Sequence, residues 1–316
     1  MPGRQCQVCG SALPAGARYC PHCATAAVPG GMRPGGRRLR KGQRLAGYCI
    51  SRFIASGAMG QVYEAVQESI GKKVALKLMH CPGVLETNEF RRFQREAQSL
   101  TWLNHPNIVA LVEAGSAGDD VFLAMEYVAG GTLRDLVVGK GVLSLEESLH
   151  VIVGCAAALE HAWEHRIVHR DVKPTNILLT RSGRPKLADL GLARLMDIHP
   201  SLTPTGARLG SPSHMAPEQT KDSKSVDIRA DIYALGVVWY YCLTGRRPFA
   251  AKSLPDLVRS IREQPMPDVN LLAHGLPEWV QPCIERMCAK SPEDRFQDPS
   301  HLLRHLATHG AAEAGE

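Results

Sequence analysis

Residues 231–245, DIYALGVVWYYCLTG, leave little freedom in how this chain folds. They are apolar nearly all the way round a helix, and such a helix is stable only with protein on every side. A helical body must therefore surround them. Residues 145–165, LEESLHVIVGCAAALEHAWEH, supply a second helix, with Leu145, Leu149, Ile152, Ala156, Leu159 and Trp163 along one face. Before residue 130 the pattern differs. YCISRFI, QVYEAV and KKVALKLM are runs of β-branched and aromatic residues between glycine-bearing turns, and further strands are expected at 108–113 and 121–127. A helix interrupts them over residues 87–103, where Phe90, Phe93, Ala97 and Leu100 recur at helical spacing. The pattern is α+β: a small β-rich lobe, then a larger helical lobe, with a ligand cleft expected between them.

The 316 residues, 44% of them apolar, are enough for more than one folded unit. No apolar run reaches the length of a membrane span, and the N-terminus lacks the hydrophobic stretch of a signal peptide. A cytoplasmic protein is expected. The formal charge of +6 is local. Residues 1–46 take eight of the 37 Lys/Arg and no acid, leaving 29 basic against 31 acidic residues elsewhere. Cys6, Cys9, Cys20 and Cys23 form two C-x-x-C pairs ten residues apart, each beside a turn-forming Gly10 or Pro21. Four thiolates so placed suit a closed tetrahedral Zn²⁺ site, whose metal would supply most of the folding energy of so short a segment, with a redox-active pair or an iron site as the alternatives. The segment resembles the zinc-ribbon family, with CxxCG and CPxC knuckles. The expected organisation is a four-cysteine zinc ribbon over 1–24, a basic Gly/Pro/Arg-rich linker over 25–46, a large domain over 47–308 and a tail over 309–316.

Five motifs stand in order in the large domain: the glycine loop IASGAMGQVY (54–63), VALK ending at Lys77, HRDVKPTN (169–176), DLG (189–191) and APE (216–218). Together they resemble the eukaryotic-type protein kinases, and the GxMG loop with RFQREA is most similar to the bacterial serine/threonine kinases. The resemblance implies a bilobal protein kinase fold and transfer of the ATP γ-phosphate to Ser/Thr hydroxyls of proteins. It implies Asp171 as catalytic base and Lys173 as its phosphate-steadying companion. Lys77 would hold the α/β-phosphates, in turn held by Glu96, and Asn176 and Asp189 would bind Mg²⁺ or Mn²⁺. Gly57 and Gly60 would let backbone N–H groups approach the phosphates. Ile54, Val62, Ala75 and Leu178 would line the adenine pocket behind a Met125 gatekeeper, with Glu126 and Val128 offering backbone hydrogen bonds. Ala55 replaces the glycine with which such loops usually begin.

The same resemblance makes His169 a packing element with Leu190, Leu100 and Leu111. It supplies the buried Asp231 with N–H donors from the HRD segment and pairs Glu218 with Arg295. Thr203 and Thr205 are the expected autophosphorylation sites, with Arg170 as phosphothreonine partner. Ser211 and His214 stand in the loop that accepts the substrate. Thr132 and Thr175 occupy places where kinases of basic substrates carry glutamate, so no strong preference for arginine-rich substrates is expected. HAWEH (161–165) matches the zinc-peptidase pattern H-x-x-E-H, but no other feature supports a peptidase and no second metal site is expected there. Two other readings are a pseudokinase scaffold, against which the retained Lys77, Glu96, Asp171, Lys173, Asn176 and Asp189 argue, and a ribbon-led binding module. For that module protein docking is expected, and nucleic acid is not.

Overall fold

In the computed structural model the described residues are 38–57, 60–81, 95, 97, 100–190, 212–222, 226–251, 253–273 and 275–313. They divide into two compact units, one comprising residues 38–129 and the other residues 130–190 and 212 onward.

The first unit is built on a six-stranded antiparallel sheet in the order β1-β2-β3-β4-β6-β5. Its strands are β1 (Arg44–Leu45), β2 (Tyr48–Gly57), β3 (Gly60–Gln67), β4 (Lys72–His80), β5 (Leu111–Ala117) and β6 (Asp120–Glu126). Alternation decides its two faces. Ile50, Tyr63, Ala65, Val74, Leu76, Leu78, Phe122 and Ala124 join Tyr48 in one buried cluster. Val62, Ala75, Lys77, Leu123 and Met125 fall on the opposite face, tied by the pairs Val62↔Lys77, Lys77↔Leu123 and Ala75↔Met125. The expected strand at 108–113 lies later, at Leu111–Ala117. Residues 105–108 form a turn closed by Ile108 N–H to the His105 carbonyl at 3.1 Å, and β5 runs on to the Gly118 turn that returns it as β6. Of the helix expected at 87–103, only Arg95, Ala97 and Leu100 are described as helical.

The second unit carries α1 (Leu133–Lys140), α2 (Leu145–Glu164), α3 (Ile228–Thr244), α4 (Leu254–Glu263), α5 (Val280–Met287) and α6 (Pro299–Glu313), with a small hairpin of β7 (Ile177–Leu179) and β8 (Pro185–Leu187). Helix α3 is buried at every position except Arg229 and Tyr241, as its all-apolar sequence requires. Asp227 caps its start and Gly245, at φ 66°, its end. Helix α5 crosses so close that a Cβ on Gly236 would stand 2.6 Å from Cys288 Sγ and 2.8 Å from Met287 Cβ.

Helix α2 begins at a capping box made by Ser144 and Glu147. Its buried face is rotated from the expected one. Ser148, Val151, Ile152, Cys155, Ala156, Ala158, Leu159 and Ala162 are buried, whereas Leu145, Leu149 and Trp163 are only half-buried. Both α3 and α6 pack on this helix, so its buried stripe is wider than a one-face reading allows. The buried Ser148 hydroxyl donates to the Leu145 carbonyl at 2.8 Å and accepts from Trp239 Nε1 at 3.1 Å.

Candidate active site

The segment from His169 to Asp189 is held by backbone and carboxylate bonds before any ligand is considered. Arg170 has φ 68°, a left-handed conformation uncommon for a side chain of its size. What holds it is Asp231, in the first turn of α3, which accepts the His169 and Arg170 N–H groups at 2.7 Å each. Burial pushes the Asp231 carboxyl up, while His169, Arg170 and their two N–H groups work against that. The His169 ring is fully buried, its Nδ1 accepting the Asp171 N–H at 3.3 Å and its Nε2 donating to the Ala188 carbonyl at 3.0 Å. Both ring nitrogens are thus engaged with backbone, and the ring acts as a spacer between the loop and the strand end.

Asp171, Lys173 and Asn176 meet directly. Lys173 Nζ stands 2.6 Å from Asp171 Oδ2. The Asn176 Nδ2 group donates to the Asp171 carbonyl at 2.9 Å and to Oδ2 at 3.0 Å. Pro174–Asn176 is one turn of 3₁₀-helix, closed by the Asn176 N–H to the Lys173 carbonyl at 2.9 Å, and from it the Asn176 side chain reaches back to Asp171. With its NH₂ turned to Asp171, Asn176 presents its carbonyl oxygen as the remaining ligand atom. Asp189 follows β8, where the Ala188 N–H bonds the Asn176 carbonyl at 2.8 Å, and has φ 60°. An amide oxygen and a carboxylate on neighbouring backbone are a hard-donor set that fits Mg²⁺ or Mn²⁺. Glu218 and Arg295 form a bidentate pair at 2.7 and 2.8 Å. The remaining guanidinium donors reach the Ala289, Arg229 and Lys290 carbonyls.

In the sheet unit, Lys77 is 5% exposed on β4, on the face away from the apolar cluster, with Val62 and Leu123 beside it in register. Ala75 and Met125 pair on the same face, and Ile54 is exposed. Gly60 has φ 120°, and a Cβ there would lie 2.0 Å from the Leu78 carbonyl oxygen. The neighbouring strand alone therefore demands glycine at position 60, independently of any phosphate. The Glu126 N–H bonds the Ala110 carbonyl at 2.8 Å, so a backbone bond to a base would come from its carbonyl. Val128 is half-buried. Leu178 belongs to the helical unit, on β7. Glu96, Thr203, Thr205, Ser211 and the four N-terminal cysteines lie outside the described residues.

A charge network on this face of the sheet is a finding that the sequence does not predict. Glu64 accepts Arg52 Nε at 2.8 Å and pairs with Lys73 Nζ at 3.2 Å, and Arg52 Nη2 donates to Tyr127 OH at 2.7 Å. Burial would raise the Glu64 carboxyl, but the Lys73, Tyr127 and Arg52 contacts hold it below the usual carboxylate range. Tyr127 lies between Glu126 and Val128, so the network anchors the segment expected to meet adenine. Alternation was the available signal, since it puts Glu64 on the face of Val62. The expected substrate-side Thr132 serves as the N-cap of α1, its Oγ1 accepting the Asp135 N–H at 3.1 Å.

The protein kinase domain family model matches residues 48–307. The chain belongs to the protein kinase family. Members of this family use ATP with Mg²⁺ or Mn²⁺. The chain is 35% identical over 268 residues to the serine/threonine-protein kinase PrkC of Bacillus subtilis, covering 84% of this chain and 41% of that protein. It is 37% identical over 265 residues to PknA of Mycobacterium tuberculosis, covering 82% of this chain and 60% of that protein. Its fold matches the crystal structure of the Mycobacterium tuberculosis PknI kinase domain with a TM-score of 0.67 at 28% identity, over 86% of this chain and 99% of that one. The bilobal α+β protein kinase fold is thereby established. The chain spans less than half the length of PrkC, and no helix among the described residues is long and apolar enough to cross a membrane.

Proposed function

We propose that this kinase transfers the γ-phosphate of ATP to serine or threonine hydroxyls of protein substrates. The observation that carries the reading is the Asp171–Lys173–Asn176 arrangement, in which one carboxylate oxygen meets an ammonium at 2.6 Å and an amide at 3.0 Å. Asp171 orients the attacking hydroxyl and takes its proton. Lys173 neutralises charge building on the transferred phosphoryl oxygens. Asn176 fixes the rotamer of Asp171 with its NH₂ and, with Asp189, would hold Mg²⁺. When bound, that ion supplies charge neutralisation at the phosphate oxygens. Lys77, steadied by Glu96, binds the α/β-phosphates, and the glycine loop closes over them. Ile54, Val62, Ala75 and Leu178 pack on adenine, with Glu126 and Val128 at its edge.

Activity is raised by phosphorylation of Thr203 or Thr205, whose phosphate pairs with Arg170. Zn²⁺ binds Cys6, Cys9, Cys20 and Cys23, and the ribbon so formed docks proteins; the spacing of the cysteines supports this. A reducing, cytoplasmic setting suits Cys49, Cys81, Cys155, Cys242, Cys283 and Cys288, the described cysteines, which form no disulfide.

The test is label transfer from γ-labelled ATP with Mg²⁺ to the chain itself and to a generic protein substrate. Asp171→Asn and Asp189→Asn are each expected to lower it by about a hundredfold or more, with label on serine and threonine. Absence of transfer by the parent, or undiminished transfer by both variants, overturns the reading.

A further inference from the structure

The turn that ends α2 carries a cluster that phosphoryl transfer does not use. His161, Glu164 and His165 each offer one ligand atom, and these atoms all lie within 4.8 Å of one another. Their spacing of three and four residues puts them on one face of the last helical turn. The two imidazole rings stand 4.8 Å apart, and Glu164 Oε2 is 3.6 Å from His161 Nδ1. Glu164 and His165 are exposed, so an ion reaches them from solvent.

Two local features prepare this face for a cation. His165 is the C-cap residue, and its Nδ1 lies 2.9 Å from the His161 carbonyl oxygen, one of the carbonyls left over at the helix end. A carbonyl can only accept, so Nδ1 bears the proton and Nε2 keeps the lone pair that a metal requires. Ligating histidines are generally oriented in this way, one ring nitrogen on a backbone carbonyl and the other on the metal. The helix C-terminus also carries partial negative charge, which favours a cation. The neighbouring cation, Arg166, has its guanidinium drawn over the Trp163 ring, 5.5 Å from the centroid.

We propose that His161, Glu164 and His165 form a site for a first-row divalent transition metal of the zinc type, with three protein ligands and one position open to water. Two imidazoles and a carboxylate select such an ion over Mg²⁺. The catalytic Mg²⁺ therefore does not compete for it. This reverses the expectation from the sequence, in which HAWEH carries no second metal site for want of a peptidase context. Binding needs only the local geometry, and no peptide hydrolysis is implied. The Arg166 and Ile167 N–H groups bond back to the Trp163 and Ala162 carbonyls, so a bound ion braces the turn from which the chain departs toward His169.

The experiment uses the full chain with Cys6, Cys9, Cys20 and Cys23 all replaced by serine, titrated calorimetrically with ZnCl₂ in millimolar Mg²⁺. One zinc per chain is expected, and adding His165→Ala should weaken binding by at least about tenfold. Circular dichroism of both chains separates loss of a ligand from loss of fold. Should His165→Ala disturb the fold, the exposed Glu164→Gln carries the same comparison. Cobalt substitution should show nitrogen and oxygen ligation without thiolate charge-transfer bands. Absence of saturable zinc binding, unchanged affinity in the ligand variants, or a thiolate spectrum overturns the site.

Discussion

His214 shows how much one residue's setting changes its chemistry. It is buried, with Nδ1 3.1 Å from the Ser213 hydroxyl, in the segment leading to Glu218. Burial, with Arg247 and Lys173 nearby, lowers its pKa to about 3. In the unfolded chain a histidine titrates near 6.5, so between these values the unfolded state binds more protons and folding stability rises with pH. As pH falls from about 6.5 toward 3, this group should withdraw stability by up to ~1.4 kcal/mol per pH unit. The comparison is urea unfolding of parent and His214→Phe across that window, and parallel pH slopes would show that His214 does not titrate as described. The sequence placed His214 in the loop expected to accept the substrate, but the burial that keeps it neutral depends on residues far from it in the chain. His169 was legible as a packing residue. The reason, both ring nitrogens engaged with backbone, was not.

At the scale of elements, the β2–β3 hairpin separates two residues that look alike in sequence. Ala55 is exposed and paired with Val62, whereas Gly60 sits against the backbone of β4. Ala55→Gly should change the KM for ATP by less than about tenfold, or roughly 1.4 kcal/mol. Gly60→Ala should cost about 2 kcal/mol or more of stability, because both the clash with the Leu78 carbonyl and the positive φ must be relieved. Thermal melting beside ATP kinetics checks the pair, and a Gly60→Ala chain as stable as the parent would refute the backbone argument. Strand identities in this region are readable from period and turn residues. The position of β5 and the buried stripe of α2 were not, because each is decided by what packs against the element.

At the scale of the molecule, Arg295 ties together segments remote in sequence: Glu218, the start of α3 at Arg229, and the turn at Ala289 and Lys290. Its side chain is fully buried, so removing it strands a carboxylate and several carbonyls at once. Arg295→Leu should lower stability by about 3–5 kcal/mol, followed by denaturant unfolding through Trp239 and Trp279 fluorescence. A loss below about 1 kcal/mol would show that other groups hold these segments.

The sequence by itself determined the α+β order, the buried α3, and the motif residues Lys77, Asp171, Lys173, Asn176 and Asp189, because periodicity and motif spacing are written along the chain. Tertiary structure alone decided the Asn176 and Lys173 contacts to a single Asp171 oxygen, the Arg52–Glu64–Lys73–Tyr127 network, and Gly60 as a requirement of β4. It also brought the His161, Glu164 and His165 ligand atoms within reach of one ion. Each of these depends on distances across turns and between strands, which residue order constrains only after the chain has packed.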